Sequence, residues 1–183
     1  MKPMALSHTF RRFLALSALC SVLSVTRVGM ASSAKLPPVL QAALIAKIIH
    51  LDEVLAGDGL DSAKLVLLDA PRWHSSLVAV KAALKPAGIT TEVLEPEAFK
   101  SLKGVSAVYL SADAPLKDIA KLCARDKILS IAHGVELAEE GFVSVAIGVT
   151  PKGRPQVVVN TTRLAAEGHR MSKQMLQLAR VVE

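Results

Sequence analysis

AVYLSADAPLKDIAKLCARDKILSI, residues 107–131, is the stretch whose reading decides the fold. Two apolar runs, Ala107-Val108-Tyr109-Leu110 and Ile128-Leu129-Ser130-Ile131, flank a helix predicted over 115–125 with Pro115 at its first turn. Continuous apolar runs of this length suit strands buried on both faces, and a helical crossover lets two such strands lie parallel. The same rhythm extends upstream. Strands are predicted over 64–68 and 90–94, around a helix over 76–84 that Pro86 and Gly88 stop. A first helix over 39–54 carries Leu40, Ala43, Leu44, Ile48 and Leu51 at helical spacing and ends at Gly57-Asp58-Gly59. One or two helical turns are expected over 97–102.

Downstream the period changes. Val143, Val145, Ile147 and Val149 alternate with Ser144, Ala146 and Gly148, a period-2 strand. A turn at 151–154 and a returning strand over 156–159 make an antiparallel hairpin, expected at one edge of the sheet. Asn160 suits a helix start, and that helix is interrupted at Gly168. A second helix begins near Ser172 and places Met171, Met175, Leu178 and Val182 on one face. Leu178→Asp is then expected to bury an unpaired charge and unfold the domain. The fold class is α/β: a mostly parallel central sheet with helices on both faces, a C-terminal antiparallel hairpin and packing helices.

The N-terminus reads as a secretory leader. Lys2, Arg11 and Arg12 precede an apolar run over 13–25, short of the ~20 residues of a membrane-spanning helix. Small-x-small patterns at Gly29–Ala31 and Ser32–Ala34 predict cleavage after Ala31 or Ala34. Residues 1–34 are thus read as a signal peptide and 35–183 as a single α/β domain in the periplasm. The formal charge of +6 is uneven: the first 34 residues hold four bases and no acid, the other 149 hold 18 bases and 16 acids. With one Trp, one Tyr and four Phe in the whole chain, no basic face with aromatic platforms stands out. Nucleic-acid binding is rejected on that ground. Cys20 leaves with the leader, so Cys123 has no intrachain partner; its helical stripe with Leu116 and Ile119 reads as core.

Motifs for catalysis are missing from the sequence: it contains no G-x-S-x-G, H-E-x-x-H or C-x-x-C, and Gly57 and Gly59 precede a strand instead of following one. No catalytic residue, metal or cofactor is assigned. One constellation stands at the carboxyl ends of parallel strands, where α/β sheets bind ligands. Asp69 follows the first strand, Asp113 the third and His133 the fourth, so together they would hold a small polar ligand or a metal. The competing reading has Asp113 capping the helix at Pro115. His74, beside Trp73, would join the rim; His50 and His169 read as surface or partly buried helix residues.

The last fifty residues carry, in order, Ile128-Leu129-Ser130-Ile131, Glu140-Gly141-Phe142-Val143, Val157-Val158-Val159-Asn160, Leu164-Ala165-Ala166-Glu167-Gly168 and a run from Met171-Ser172 to Leu178-Ala179. In this order and spacing they resemble the YfiR/HmsC-like family. Gln41-Ala42-Ala43-Leu44 and Val108-Tyr109-Leu110-Ser111 are similar to its opening helix and third strand. Within that pattern Gly141, Asn160, Gly168, Ser172 and Leu178 carry structural roles. The resemblance implies a non-enzymatic periplasmic regulator that restrains a membrane-bound diguanylate cyclase, or another membrane sensor, with links to cyclic di-GMP and biofilm control. It also admits a homodimer. The chain departs from the family in its aliphatic first helix, in His50-Leu51-Asp52-Glu53 where the family has Trp-Pro, and in lacking the family's disulfide cysteines.

Overall fold

The computed structural model describes residues 36–59, 63–68, 74–95, 102–110 and 113–183. The predicted leader and its cleavage sites lie outside them. The elements are α1 (Pro38–Leu51), α2 (Glu53–Asp58), β1 (Lys64–Leu68), α3 (His74–Leu84), β2 (Thr90–Leu94), β3 (Ala107–Leu110), α4 (Leu116–Asp126), β4 (Leu129–His133), α5 (Glu136–Glu139), β5 (Val145–Val149), β6 (Pro155–Asn160), α6 (Thr161–Ala166), α7 (Lys173–Leu178) and β7 (Arg180–Val182).

The strands form one sheet in the order β2-β1-β3-β4-β5-β6-β7. β1 pairs parallel with β2 and β3, and β3, β4 and β5 continue in parallel; only β5 and β6 are antiparallel. This is the α/β architecture that the apolar runs predict. Burial on both faces follows a strict alternation. Leu65, Leu67, Tyr109, Leu129, Ile131, Val145, Ile147, Val157 and Val159 enter one core with Ile45, Ile48 and Ile49 of α1 and Val80 and Leu84 of α3. Val66, Leu68, Val108, Leu110, Ala132, Ala146 and Val158 enter the other, beneath Ile119 and Cys123 of α4 and Leu137 of α5. Each strand feeds two cores, so a one-residue register slip would exchange them.

Three elements differ from expectation. The first helix is not continuous to Val54: it ends at Leu51, and Asp52 takes an extended conformation (φ −78, ψ 119). Its Oδ1 accepts from the N–H groups of Val54 (2.9 Å) and Leu55 (3.0 Å), starting α2. An N-cap aspartate satisfies helix-start donors that a continuous helix would not expose. The hairpin is not the sheet's edge, because β7 adds parallel to β6 beyond it. The last helix therefore stops at Leu178, and Ala179 turns extended to launch that strand. The turns expected over 97–101 lie outside the described residues; Leu102 itself is buried outside any helix.

The break at Ala179 corrects the role given to Leu178. Met171 and Met175 are buried in the first core, but Leu178 is 61% exposed. Val182 packs on the opposite core. The four residues share a face only if one helix carries them all, and the chain instead spends its last residues as a strand. Leu178→Asp should consequently change stability by no more than about 0.5 kcal/mol in urea denaturation, as exposed substitutions do. Met175→Ala should cost about 2–5 kcal/mol in the same measurement.

Candidate functional site

Of the residues expected together at the strand ends, Asp113 and His133 are described. Asp69 and Trp73 lie outside the described residues. His133 closes β4 and is buried; Asp113 is exposed in the loop before α4. Asp113 does not cap that helix either, since Pro115 is the N-cap and no side chain bonds there. Among the described residues no group of three His, Cys, Asp or Glu side chains could hold a metal. His50 is exposed, its ring 2.6 Å from the Ala46 carbonyl oxygen.

The polar groups that do converge lie under the C-terminal segment. Glu167, just past α6, is fully buried. Its carboxylate accepts from the Ser130 N–H (2.9 Å) and hydroxyl (2.7 Å), the Ser144 hydroxyl (2.5 Å) and Arg163 Nε (2.9 Å). The Ser130 hydroxyl also accepts from the Ser144 N–H at 2.8 Å. Arg163 lies one helical turn before Glu167, and its Nη2 donates to the Ala120 carbonyl. α6 is positioned from its start by Asn160, whose Oδ1 accepts from the Arg163 N–H (2.7 Å) while Nδ2 donates to the Ala138 carbonyl (2.9 Å). Gly168 ends the segment with φ +77, and a Cβ there would meet Lys127 Cδ at 2.9 Å.

Immediately beyond, His169 is buried and outside any helix, against the expectation of a surface or partly buried helix residue. Its Nδ1 lies 3.0 Å from Asp52 Oδ2 and its Nε2 3.2 Å from the Lys127 carbonyl oxygen. A carbonyl and a carboxylate only accept, so these two contacts suit the protonated ring, in which both nitrogens donate. Burial works to depress its pKa, but the hydrogen bond and charge of Asp52, then the Lys127 carbonyl and the Glu167 charge, raise it above the ordinary histidine value. Around this joint the Glu53 N–H donates to the Arg170 carbonyl (2.8 Å) and the Ser172 N–H to the Leu51 carbonyl (2.8 Å). Ser172 also caps α7 through the Met175 N–H. The sequence hinted at none of this pairing, because Asp52 and His169 stand 117 residues apart.

Other reactive groups are similarly committed. The Tyr109 hydroxyl donates to Gln41 Oε1 at 2.8 Å, and Gln41 Nε2 donates to the Leu36 carbonyl at 2.6 Å. Burial pushes the Tyr109 hydroxyl upward. The Cys123 thiol is also pushed well up, by burial first and then by the charge of Glu167, so it stays protonated and inert. Two clefts open on the surface. One of about 310 Å³ is walled by Glu139, Glu140, Gly141, Thr162, Arg163 and Glu183. The other, about 490 Å³, runs between α3 and β2 and is lined by Val78, Lys81, Ala82, Lys85, Ile89 and Thr91.

These features define a parallel-centred α/β protein whose first five strands follow the flavodoxin-like order 2-1-3-4-5. No protein-family model matches the chain, and no curated protein matches it. Among solved structures it is similar to a conserved domain protein from Vibrio cholerae, with a TM-score of 0.56 and 12% identity over 80% of this chain and 60% of that one. It is likewise similar to the ABC domain from Streptococcus pneumoniae in complex with L-Trp, with a TM-score of 0.58 and 13% identity over 80% of this chain and 62% of that one. The chain spans less than two thirds of either, and the likeness is one of fold alone.

Two predictions follow from the buried groups. A histidine whose folded pKa is raised contributes stability that is complete below its unfolded value, about 6.5, and is lost as pH rises through the folded one. Urea midpoints should therefore fall as pH rises above about 6.5, and His169→Gln should flatten that dependence. Glu167→Gln leaves Arg163 beside a neutral amide and Ser130 and Ser144 with a poorer acceptor. Its cost should be about 3 kcal/mol or more in equilibrium denaturation.

Proposed function

We propose that this chain is an exported, non-enzymatic regulator that binds the periplasmic part of a membrane signalling protein, by its resemblance a diguanylate cyclase. One observation carries the reading. Of the residues that carry the resemblance, the polar ones serve the scaffold: Ser130, Asn160 and Glu167 are buried, and with Gly168 and Ser172 they join strands, helix starts and turns to one another. A motif used for the scaffold suits a protein that acts by presenting a rigid surface, with specificity set by exposed residues elsewhere. On this reading the leader delivers the domain to the periplasm, where it meets the sensor region and adjusts cyclic di-GMP output and biofilm formation.

Cross-linking in membranes of the native host should recover a membrane cyclase or sensor, and deletion of the gene should change cyclic di-GMP. Failure of both would overturn the reading. The exported form should begin at Ser32 or Lys35 by mass spectrometry. A second reading, a binder of small polar ligands, rests on His133 at the carboxyl end of a central parallel strand. It requires that His133→Ala abolish a ligand-induced rise in Tm found by screening small polar molecules.

A further inference from the structure

The 490 Å³ cleft lies beside the end of the sheet that β2 occupies. β2 pairs with β1 on its inner side, and no described strand pairs with its outer edge. The backbone groups of that edge can therefore accept another strand. Alongside, α3 and the turn after it offer Val78, Lys81, Ala82 and Lys85, spaced i, i+3, i+4 and i+7 on one face. Val78 is 50% exposed, so the face has an apolar centre open to solvent. Its charge has a single sign. Residues 74–91 contain Lys81 and Lys85 and no acid, and the next acid, Glu92, is engaged by Lys64 at 2.5 Å.

We infer that this groove is a strand-addition site for a partner segment that carries apolar and acidic residues together on the face it turns to α3, at every second position. The segment pairs with the outer edge of β2, sets its apolar side chains against Val78 and Ala82, and brings its carboxylates to Lys81 and Lys85. Backbone pairing supplies affinity in such a mode and the alternate side chains supply specificity. The two lysines choose between occupants. A second copy joined antiparallel, about a two-fold axis perpendicular to the sheet, would bring both α3 helices to the same face and add four lysines to it with no acid from residues 74–91 to meet them. An acidic segment of another protein meets the same surface with complementary charge. The inference rests on the regulatory reading only in taking that protein to be the membrane partner.

The mature chain is titrated with two synthetic strand peptides of equal length in which every second residue is threonine and the residues between are alternately valine and glutamate (the glutamate peptide) or valine and lysine (the lysine peptide), so that one face carries both kinds, while backbone amide shifts are followed by NMR. The glutamate peptide should bind more tightly by about tenfold or more, the range over which complementary charges act. Its shifts should map to Thr90–Leu94 and residues 78–85, and added salt should weaken it. The double variant Lys81→Glu/Lys85→Glu changes only exposed side chains, keeps the circular dichroism of the parent, and should reverse the preference. Equal binding of both peptides, no binding, shifts elsewhere, or self-association through the groove would each overturn the inference. Membrane cross-linking separates it from the regulatory reading. If the parent and the double variant capture the same signalling protein equally, the groove is wrong and the regulatory reading stands. If neither captures one while the glutamate peptide still binds in the groove, the groove stands and the regulatory reading falls.

Discussion

The structure depends on one buried carboxylate. Removing Glu167 from water costs several kcal/mol, a cost that can be met only if most of its lone pairs are filled and its charge is opposed. Four donors, one of them the Arg163 guanidinium that also opposes the charge, meet that demand, and they come from β4, from the residue before β5 and from α6. The demand therefore dictates where three elements stand. Ser130 sits on the face of β4 that looks toward α4 and α6, where its neighbours along the strand alternation are apolar. From there the serine reaches the carboxylate with both its amide and its hydroxyl.

From that point the C-terminal segment works outward as a clasp. Gly168 permits the turn, and His169 then spans Lys127 at the end of α4 and Asp52 between the first two helices. Backbone bonds between Glu53 and Arg170 and between Ser172 and Leu51 flank the ion pair. The two ends of the described domain are thereby joined across more than a hundred residues of chain. This explains why α1 breaks where it does: Asp52 has one oxygen for the amides of α2 and the other for His169. A helix running through that position would withhold both.

The reactive groups and the free surface are segregated. Carboxylate, imidazole, thiol and phenol are all drawn into the interior beneath the C-terminal half or under α1. One exposed patch that is both apolar and basic, Val78 with Lys81 and Lys85, lies at the opposite end of the sheet, where α3 meets β2.

Much of the fold was legible because strands buried on both faces announce themselves. Runs such as Ala107-Val108-Tyr109-Leu110 leave no polar face to solvate, and the helices between them admit little besides a parallel sheet. The hairpin was equally plain from the alternation at 143–149. What sequence could not decide were outcomes settled by distant partners. Asp52, read along the chain, continues a helix; its partner 117 residues away makes it a break. Leu178 belongs to an apolar stripe until the open edge of β6 draws the next residues into a strand and leaves it in solvent. Of the strand-end constellation, Asp69 lies outside the described residues, Asp113 is exposed and His133 is buried; spacing along a chain cannot distinguish those environments. Local periodicity determined which elements exist, since it reflects only each element's own faces. The tertiary structure decided where they stop and which polar groups they enclose, because buried charges must find partners wherever the chain brings them.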